Sequence, residues 1–283
     1  MPQPYRIGRI DYLNVWPLFR LLKQNFPPGP DLEYIPGHPS ELNRRLEEGR
    51  IEMAPCSSFE FLIHADRYCL LPDMSISAQG AVQSVLFCSP VPVERLAGYL
   101  AEHRNTVSLT SASATSVALL KILWKLHWKL PAPRWVTIPP GSGRKGDSPF
   151  LEIGDKALDL TLNPPPGMYL IDLAAAWEEF VSLPFVFAVW IVRAGLTGLQ
   201  RRMTGRIAAA LQDCKKELSG KMEELSRDSS LPASFSPDDV LRYWQLMDYD
   251  LGPEEQAGLL LFGHYCRELS LIPSVPGLSW FRS

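Results

Sequence analysis

Apolar and polar positions follow two periods along this chain, and they change over at a definite point. Up to about residue 194, short apolar runs alternate with stretches of helical spacing. Tyr5–Ile10, Leu32–Pro36, Ile51–Pro55, Val82–Cys88, Thr106–Thr110, Trp135–Ile138, Tyr169–Leu173 and Phe185–Val192 read as strands. A further strand is expected behind Asp147-Ser148-Pro149. Between Ser40 and Gly49, the segment ELNRRLEE places Leu42 and Leu46 one turn apart, with Ser40 as the expected cap and Gly49 as the stop. From Gly195 onward only helical patterns remain. Ser236-Pro237 opens one helix, and a last helix is expected over about Pro253 to Leu269. Strands alternating with helices make this an α/β protein.

The polar residues at the ends of the strands stand out against that pattern. Asn14, after the first strand and ahead of Trp16-Pro17, sits where α/β sheets expose their ligand-binding edge. Ser57 and Ser58 follow the third strand, and Ser111, Ser113, Thr115 and Ser116 crowd the junction after Thr106–Thr110. Each junction begins a helix whose free N–H groups and positive dipole end favour a carboxylate. Each also has a plain structural explanation, because Asn, Ser and Thr are ordinary helix caps. Their repetition on two segments, separated by the run AVQSVLFCS that carries Ser84, favours a ligand held between them.

At 283 residues the chain exceeds a typical domain of about 100–200, so two lobes are expected. Hydrophobic residues make up 46% and charged residues 21%, as in a globular protein, and a formal charge of −3 leaves no basic footprint for nucleic acid. The opening MPQPYRIGRIDYL has no apolar signal core, and no run reaches the ~18 apolar residues of a membrane span. The expectation is a cytoplasmic protein without a membrane partner. Five cysteines without CxxC spacing suit reduced, packed thiols rather than disulfides or zinc.

Residues 139–149, PPGSGRKGDSP, form the one expected mobile loop. Within it, Gly141 to Gly146 satisfies GxGxxG, but the loop leads toward a strand rather than a helix, so a surface turn is expected instead of a dinucleotide site. HExxH, GxSxG, Walker and clustered His/Cys/Asp patterns are all missing, and the five histidines are isolated. No cofactor and no metal site is expected.

Six stretches together resemble the chorismate dehydratases that open the futalosine route to menaquinone. They are YLNVWPL (12–18), PSELNRRLEEGRIEMAPCSSFEF (39–61), LLPDMSISAQGAVQSVLF (70–87), SLTSASATSVALLKILW (108–124), IGDKAL (153–158) and LPFVFAVWIVR (183–193). The resemblance implies the two-lobed fold of type II periplasmic binding proteins, with an interlobe cleft. The implied first lobe is discontinuous, 1–88 plus 190–283, and the second is 89–189. It implies loss of water from chorismate to give 3-[(1-carboxyvinyl)oxy]benzoate, with Asn14 and Ser84 as the catalytic residues. Ser57, Ser58, Ser111, Ser113, Ala114, Thr115, Ser116 and Asp155 are the implied substrate-binding set.

Neither Asn14 nor Ser84 is a strong base near neutral pH, so a carboxylate of the substrate is the expected base. The chain departs from the family pattern in three places. The glycine-rich loop stands where a short helix precedes IGDKAL, Val181-Ser182 replaces Thr-Gly, and Cys56 replaces an aliphatic residue. Two alternatives accompany this reading: a non-catalytic cytosolic binder or sensor of small anions with the same fold, and the related enzyme that forms 1,4-dihydroxy-6-naphthoate.

Overall fold

The computed structural model describes residues 3–146 and 148–282. Among the described residues ten strands form two five-stranded mixed sheets. The first runs in the order β2 (Leu32–Pro36), β1 (Tyr5–Arg9), β3 (Met53–Ser57), β10 (Phe185–Arg193), β4 (Tyr68–Ala78). The second runs β7 (Arg134–Ile138), β6 (Thr106–Thr110), β8 (Phe150–Ile153), β5 (Val85–Ser89), β9 (Tyr169–Asp172). The helices in chain order are α1 (Trp16–Asn25), α2 (Pro39–Glu47), α3 (Ser58–Ile63), α4 (Val93–Glu102), α5 (Ala114–Ile122), α6 (Asp155–Leu162), α7 (Leu173–Val181), α8 (Gly198–Leu225), α9 (Pro237–Trp244) and α10 (Pro253–Glu268).

In the first sheet β1 pairs parallel with β2 and β3, while β10 runs antiparallel to both β3 and β4. The near-unbroken apolar run FVFAVWIV suits a central strand flanked on both edges and covered on both faces. In the second sheet β5 runs antiparallel to β8 and β9. The chain therefore passes between the sheets twice, through residues 79–84 and again through 182–184.

Several expected elements take other limits. Val82–Cys88 is not one strand, because pairing begins at Val85. The N–H groups of Val82 and Gln83 donate instead to Asp172 Oδ2 at 2.9 and 2.6 Å, and Gln83 adopts φ +62°. That interaction removes the segment ending at Ser84 from the ladder. The helix expected to be capped by Ser40 begins at Pro39 with His38 in the cap position, so Ser40 lies inside its first turn. The 139–149 loop is tied at three points: Gly141 N–H to Glu152, Lys156 Nζ to the Pro140 carbonyl, and Arg144 to Asp159. Residues Gly143–Lys145 make one 3₁₀ turn and open no α-helix, as expected of a turn rather than a dinucleotide loop.

Aromatic side chains join the halves of the core. Trp177 of α7 packs edge-on against Phe185 of β10 and Phe262 of α10, with ring centroids 5.4 and 6.4 Å apart. Such pairs add ~0.5–1.5 kcal/mol beyond their area burial. Cβ-free Gly258 lets α10 approach the Pro184 carbonyl, where a side chain would come within 2.2 Å.

Candidate active site

The carboxyl ends of β1, β3 and β6 and the loops behind β4 and β8 converge on one cavity of about 400 Å³, within the usual range for small-molecule sites. Both sheets contribute to its wall. Tyr12, Asn14, Asn43, Arg44, Ser57, Glu60, His64 and Phe187 come from the segments around the first sheet. Ser84, Ser111, Ser113, Ala114, Ser116 and Gly154 come from the crossover and the second.

Asn14 sits in the turn between β1 and α1. The cap position of α1 is Val15, and no side chain caps that helix. The capping explanation for Asn14 therefore fails, and the residue lines the cavity. The turn is held on three sides: Leu13 N–H donates to Asp155 Oδ1 at 3.3 Å, Trp244 Nε1–H donates to the Leu13 carbonyl at 2.8 Å, and the Tyr249 hydroxyl donates to the Asn14 carbonyl at 2.8 Å.

Ser84 is buried and also lines the cavity. Its hydroxyl oxygen accepts from the Tyr243 hydroxyl at 2.9 Å, and its carbonyl accepts from Gly154 N–H at 2.8 Å. With a donor already in place on its oxygen, the Ser84 O–H is left to donate toward the cavity. Burial pushes the Tyr243 phenol well above its ordinary range, which keeps it protonated and a donor.

The two expected anion-friendly helix starts differ. At α3, Ser57 Oγ accepts Glu60 N–H at 3.4 Å and Thr115 Oγ1 accepts Phe59 N–H at 3.0 Å, so that helix start is largely satisfied by protein groups. At α5, Ser113 Oγ caps Ser116 N–H at 3.1 Å, leaving the first-turn N–H groups of Ala114 and Thr115 for a ligand. Gly154 holds the cap position ahead of α6, and its φ of +65° with ψ of −149° is open essentially to glycine alone.

Of the ten residues singled out in the sequence, Asn14, Ser57, Ser84, Ser111, Ser113, Ala114 and Ser116 share this cavity. Ser58, Thr115 and Asp155 are placed elsewhere. The Ser58 hydroxyl is fully buried and donates to the Val186 carbonyl at 2.6 Å. Thr115 is turned to the α3 backbone. Asp155 lines a second cavity of about 370 Å³ that it shares with Tyr12 and Lys23, and whose two arginines, Arg9 and Arg20, are paired with Asp11 and Asp228.

Sequence patterns gave no sign of Arg44 or Glu60 and left His64 among the isolated histidines, yet all three line the cavity, Arg44 from α2, Glu60 from α3 and His64 from the position just after it. Helical spacing on α2 places Arg44 away from Leu42 and Leu46, but only the fold shows what that face meets. Burial raises the Glu60 carboxyl above its ordinary value, opposed by His64 3.9 Å away and by a hydrogen bond from Asn43. Cys56, buried and donating its thiol to Asn43 Oδ1 at 2.7 Å, is pushed well up by burial and serves as a packed thiol. Among the described residues no group of three or more His, Cys, Asp or Glu could hold a metal ion, and no helix is long and apolar enough to cross a membrane.

The sequence profile of a family described as menaquinone biosynthesis matches residues 5–268. The chorismate dehydratase of Thermus thermophilus is 30% identical over 278 residues, covering 92% of this chain and 94% of that protein. The chorismate dehydratase of Campylobacter jejuni is 36% identical over 184 residues, 64% of each chain. Among solved structures, an Archaeoglobus fulgidus protein superposes with a TM-score of 0.68 at 15% identity, covering 94% of this chain and 98% of its own. The periplasmic aliphatic sulphonate binding protein of Escherichia coli superposes at 0.66 with 12% identity, over 100% and 95%. At such identities the structural likeness establishes the fold, that of the periplasmic binding proteins.

Proposed function

Because the chain belongs to the menaquinone biosynthesis family, matched over residues 5–268, we propose that it is a chorismate dehydratase, a hydro-lyase that converts chorismate to 3-[(1-carboxyvinyl)oxy]benzoate and water on the futalosine route. Two of its relatives carry that activity in their names. The observation that carries the reading is the meeting of Asn14 and Ser84, from separate segments, in the wall of one 400 Å³ cavity.

In this reading chorismate lies between two lobes, one on each sheet, with chain crossings at residues 79–84 and 182–184. In the same reading the first lobe is discontinuous, and β5, which pairs with β8 and β9, is assigned to the second. One carboxylate takes the N–H groups at the start of α5, and Arg44 on α2 faces the other. Asn14 and Ser84 donate hydrogen bonds to the departing hydroxyl. A substrate carboxylate removes a proton from the ring carbon, the C–H electron pair enters the ring, and the neighbouring C–O bond breaks as the carboxylic acid so formed returns that proton to the departing hydroxide, which leaves as water. Aromaticity drives the step. Holding the reacting groups in contact lowers such intramolecular barriers by ~7–11 kcal/mol in favourable cases. The mechanism needs neither cofactor nor metal, and a cytoplasmic location fits a small-molecule biosynthetic enzyme.

The test is direct: incubate the purified protein with chorismate and resolve the mixture by chromatography. The expected result is time-dependent formation of 3-[(1-carboxyvinyl)oxy]benzoate. Chorismate that binds but is recovered unchanged would overturn the enzyme in favour of the small-anion sensor, the reading that the fold alone also allows.

A further inference from the structure

The residues that line the cavity do not hold themselves in place. Three side chains near the C-terminus, all within seven positions, reach the two candidate catalytic segments. Tyr243 and Trp244 are the last two residues of α9, and Tyr249 follows after a short turn. All three are buried. Each places its single polar hydrogen on a different part of the site: Tyr243 on Ser84 Oγ, Trp244 on the Leu13 carbonyl and Tyr249 on the Asn14 carbonyl, at 2.9, 2.8 and 2.8 Å. Trp244 also stacks on Trp16, the first residue of α1, with centroids 5.7 Å apart and planes 10° from parallel.

We propose that this aromatic shelf is the positioning device of the active site, with Tyr243 turning the Ser84 hydroxyl into a donor aimed at the substrate and Trp244 and Tyr249 fixing the peptide that carries Asn14. The proposal rests on the dehydratase reading above. A serine hydroxyl has one hydrogen and two lone pairs, and left alone it rotates among acceptors. With Tyr243 donating, one lone pair is occupied. The Ser84 carbonyl is held by Gly154 as well, so the Ser84 proton has the cavity as its free direction. The phenol can do this because it is buried and stays protonated across the working range.

The same logic applies at the β1–α1 turn. Asn14 has no capping role to fix it, and α1 has no side-chain cap. Its two flanking carbonyls are instead pinned from the C-terminal segment, and Leu13 N–H is pinned from Asp155. The shelf therefore links Asn14 and Ser84, which lie 70 positions apart in sequence, to one buried stretch of chain, residues 243–249. Support of this kind separates a donor that meets the transition state from one displaced by an ångström.

A double-mutant cycle tests the proposal. Four proteins are compared: the parent, Ser84→Ala, Tyr243→Phe, and the double variant. Tyr243→Phe removes one oxygen and keeps the ring. The expected result is a kcat lowered about 10- to 100-fold with KM within about twofold. In the Ser84→Ala background the same substitution should have no further effect on kcat, because its only route to chemistry has been removed. Additive losses, or a Tyr243→Phe enzyme at the parent rate, would overturn the proposal.

A second arm, Tyr249→Phe with and without Asn14→Ala, gives the same comparison at the other segment and decides the matter if Tyr243→Phe does not fold. Should the parent protein leave chorismate unchanged, the dehydratase reading fails and this proposal falls with it. That outcome is distinct from an active parent whose variants add independently.

Discussion

Leu13 and Asp155 are joined across the two sheets: the Leu13 backbone N–H donates to Asp155 Oδ1 at 3.3 Å, so the turn bearing Asn14 leans on the first turn of α6. Burial raises the Asp155 carboxyl above its ordinary value of 3.8, and the Leu13 N–H opposes that rise. A raised carboxyl binds its proton more tightly in the folded protein than in the unfolded chain. Its contribution to stability is therefore greatest when protonated, and it falls as pH rises from 3.8 through the raised value. Asp155→Asn keeps an oxygen for Leu13 and removes the buried charge. The Asn variant should lose that part of the pH slope of the melting temperature and keep its activity, whereas Asp155→Leu should weaken both. An unaltered slope in the Asn variant would remove Asp155 from this role.

Arg44 tests how the cavity holds a dianion. Its side chain lies in the wall, and among the described residues it makes no ion pair, whereas Arg45 beside it pairs with Glu41. Arg44→Gln should raise the KM for chorismate about tenfold, ~1.4 kcal/mol, with little change in kcat, because a carboxylate far from the reacting atoms is bound equally in ground and transition states. Parent KM should rise with ionic strength, and the variant's dependence should be flatter. Steady-state kinetics at two salt concentrations checks both expectations.

Glu60 is the one wall carboxylate raised by burial, which makes it the protein's own competitor for the role of base. If the substrate supplies the base, Glu60→Gln should turn over chorismate within about threefold of the parent rate. A general base is worth ~100- to 10,000-fold. A loss of that size, with the acid limb of the pH–rate profile removed, would move proton abstraction from chorismate to Glu60.

Ser182 caps the end of α7 in the left-handed region at φ +55°, a conformation that favours glycine. A side chain there costs about 1 kcal/mol. Ser182→Gly should raise the melting temperature by ~1–3 °C in a protein of this size, with kcat unchanged. A lower melting temperature would show that Ser182 gains from contacts what its backbone loses.

What the sequence made legible was local. The caps Ser57, Ser113 and Ser236 fall at helix starts, because capping depends on residues within one turn. β2 and β6 match their expected limits, because their apolar runs end in clear turn signals. The eleven-residue β4 was not legible. Pro72 and the positive φ of Asp73 break its pattern, and its pairing with β10 shifts register twice. Arg44, Glu60 and the aromatic shelf belong to the same class: their significance arises only when α2, α3 and α9 meet segments far away in sequence. Ser84 was legible as a polar residue in an apolar run, but its orientation depends on Tyr243, 159 positions later.

Asn14 gives the most decisive single substitution. In the cap interpretation, Asn14→Asp is nearly neutral and Asn14→Ala costs ~1 kcal/mol of stability, because Asp caps as well as Asn and a helix start welcomes its charge. The structure removes the premise: the cap position belongs to Val15 and no side chain fills it. Both variants should therefore keep the parent melting temperature within error. Catalysis should separate from stability. A carboxylate at position 14 lacks the amide donor and repels a dianionic substrate, and alanine lacks the donor alone. Each should lower kcat/KM at least ~100-fold, the scale for losing one transition-state hydrogen-bond donor, with the Asp variant the poorer of the two in KM. Thermal denaturation alongside chromatographic rates checks both halves. An Asn14→Asp protein that dehydrates chorismate at the parent rate would remove Asn14 from the chemistry and leave it a passive part of the β1–α1 turn.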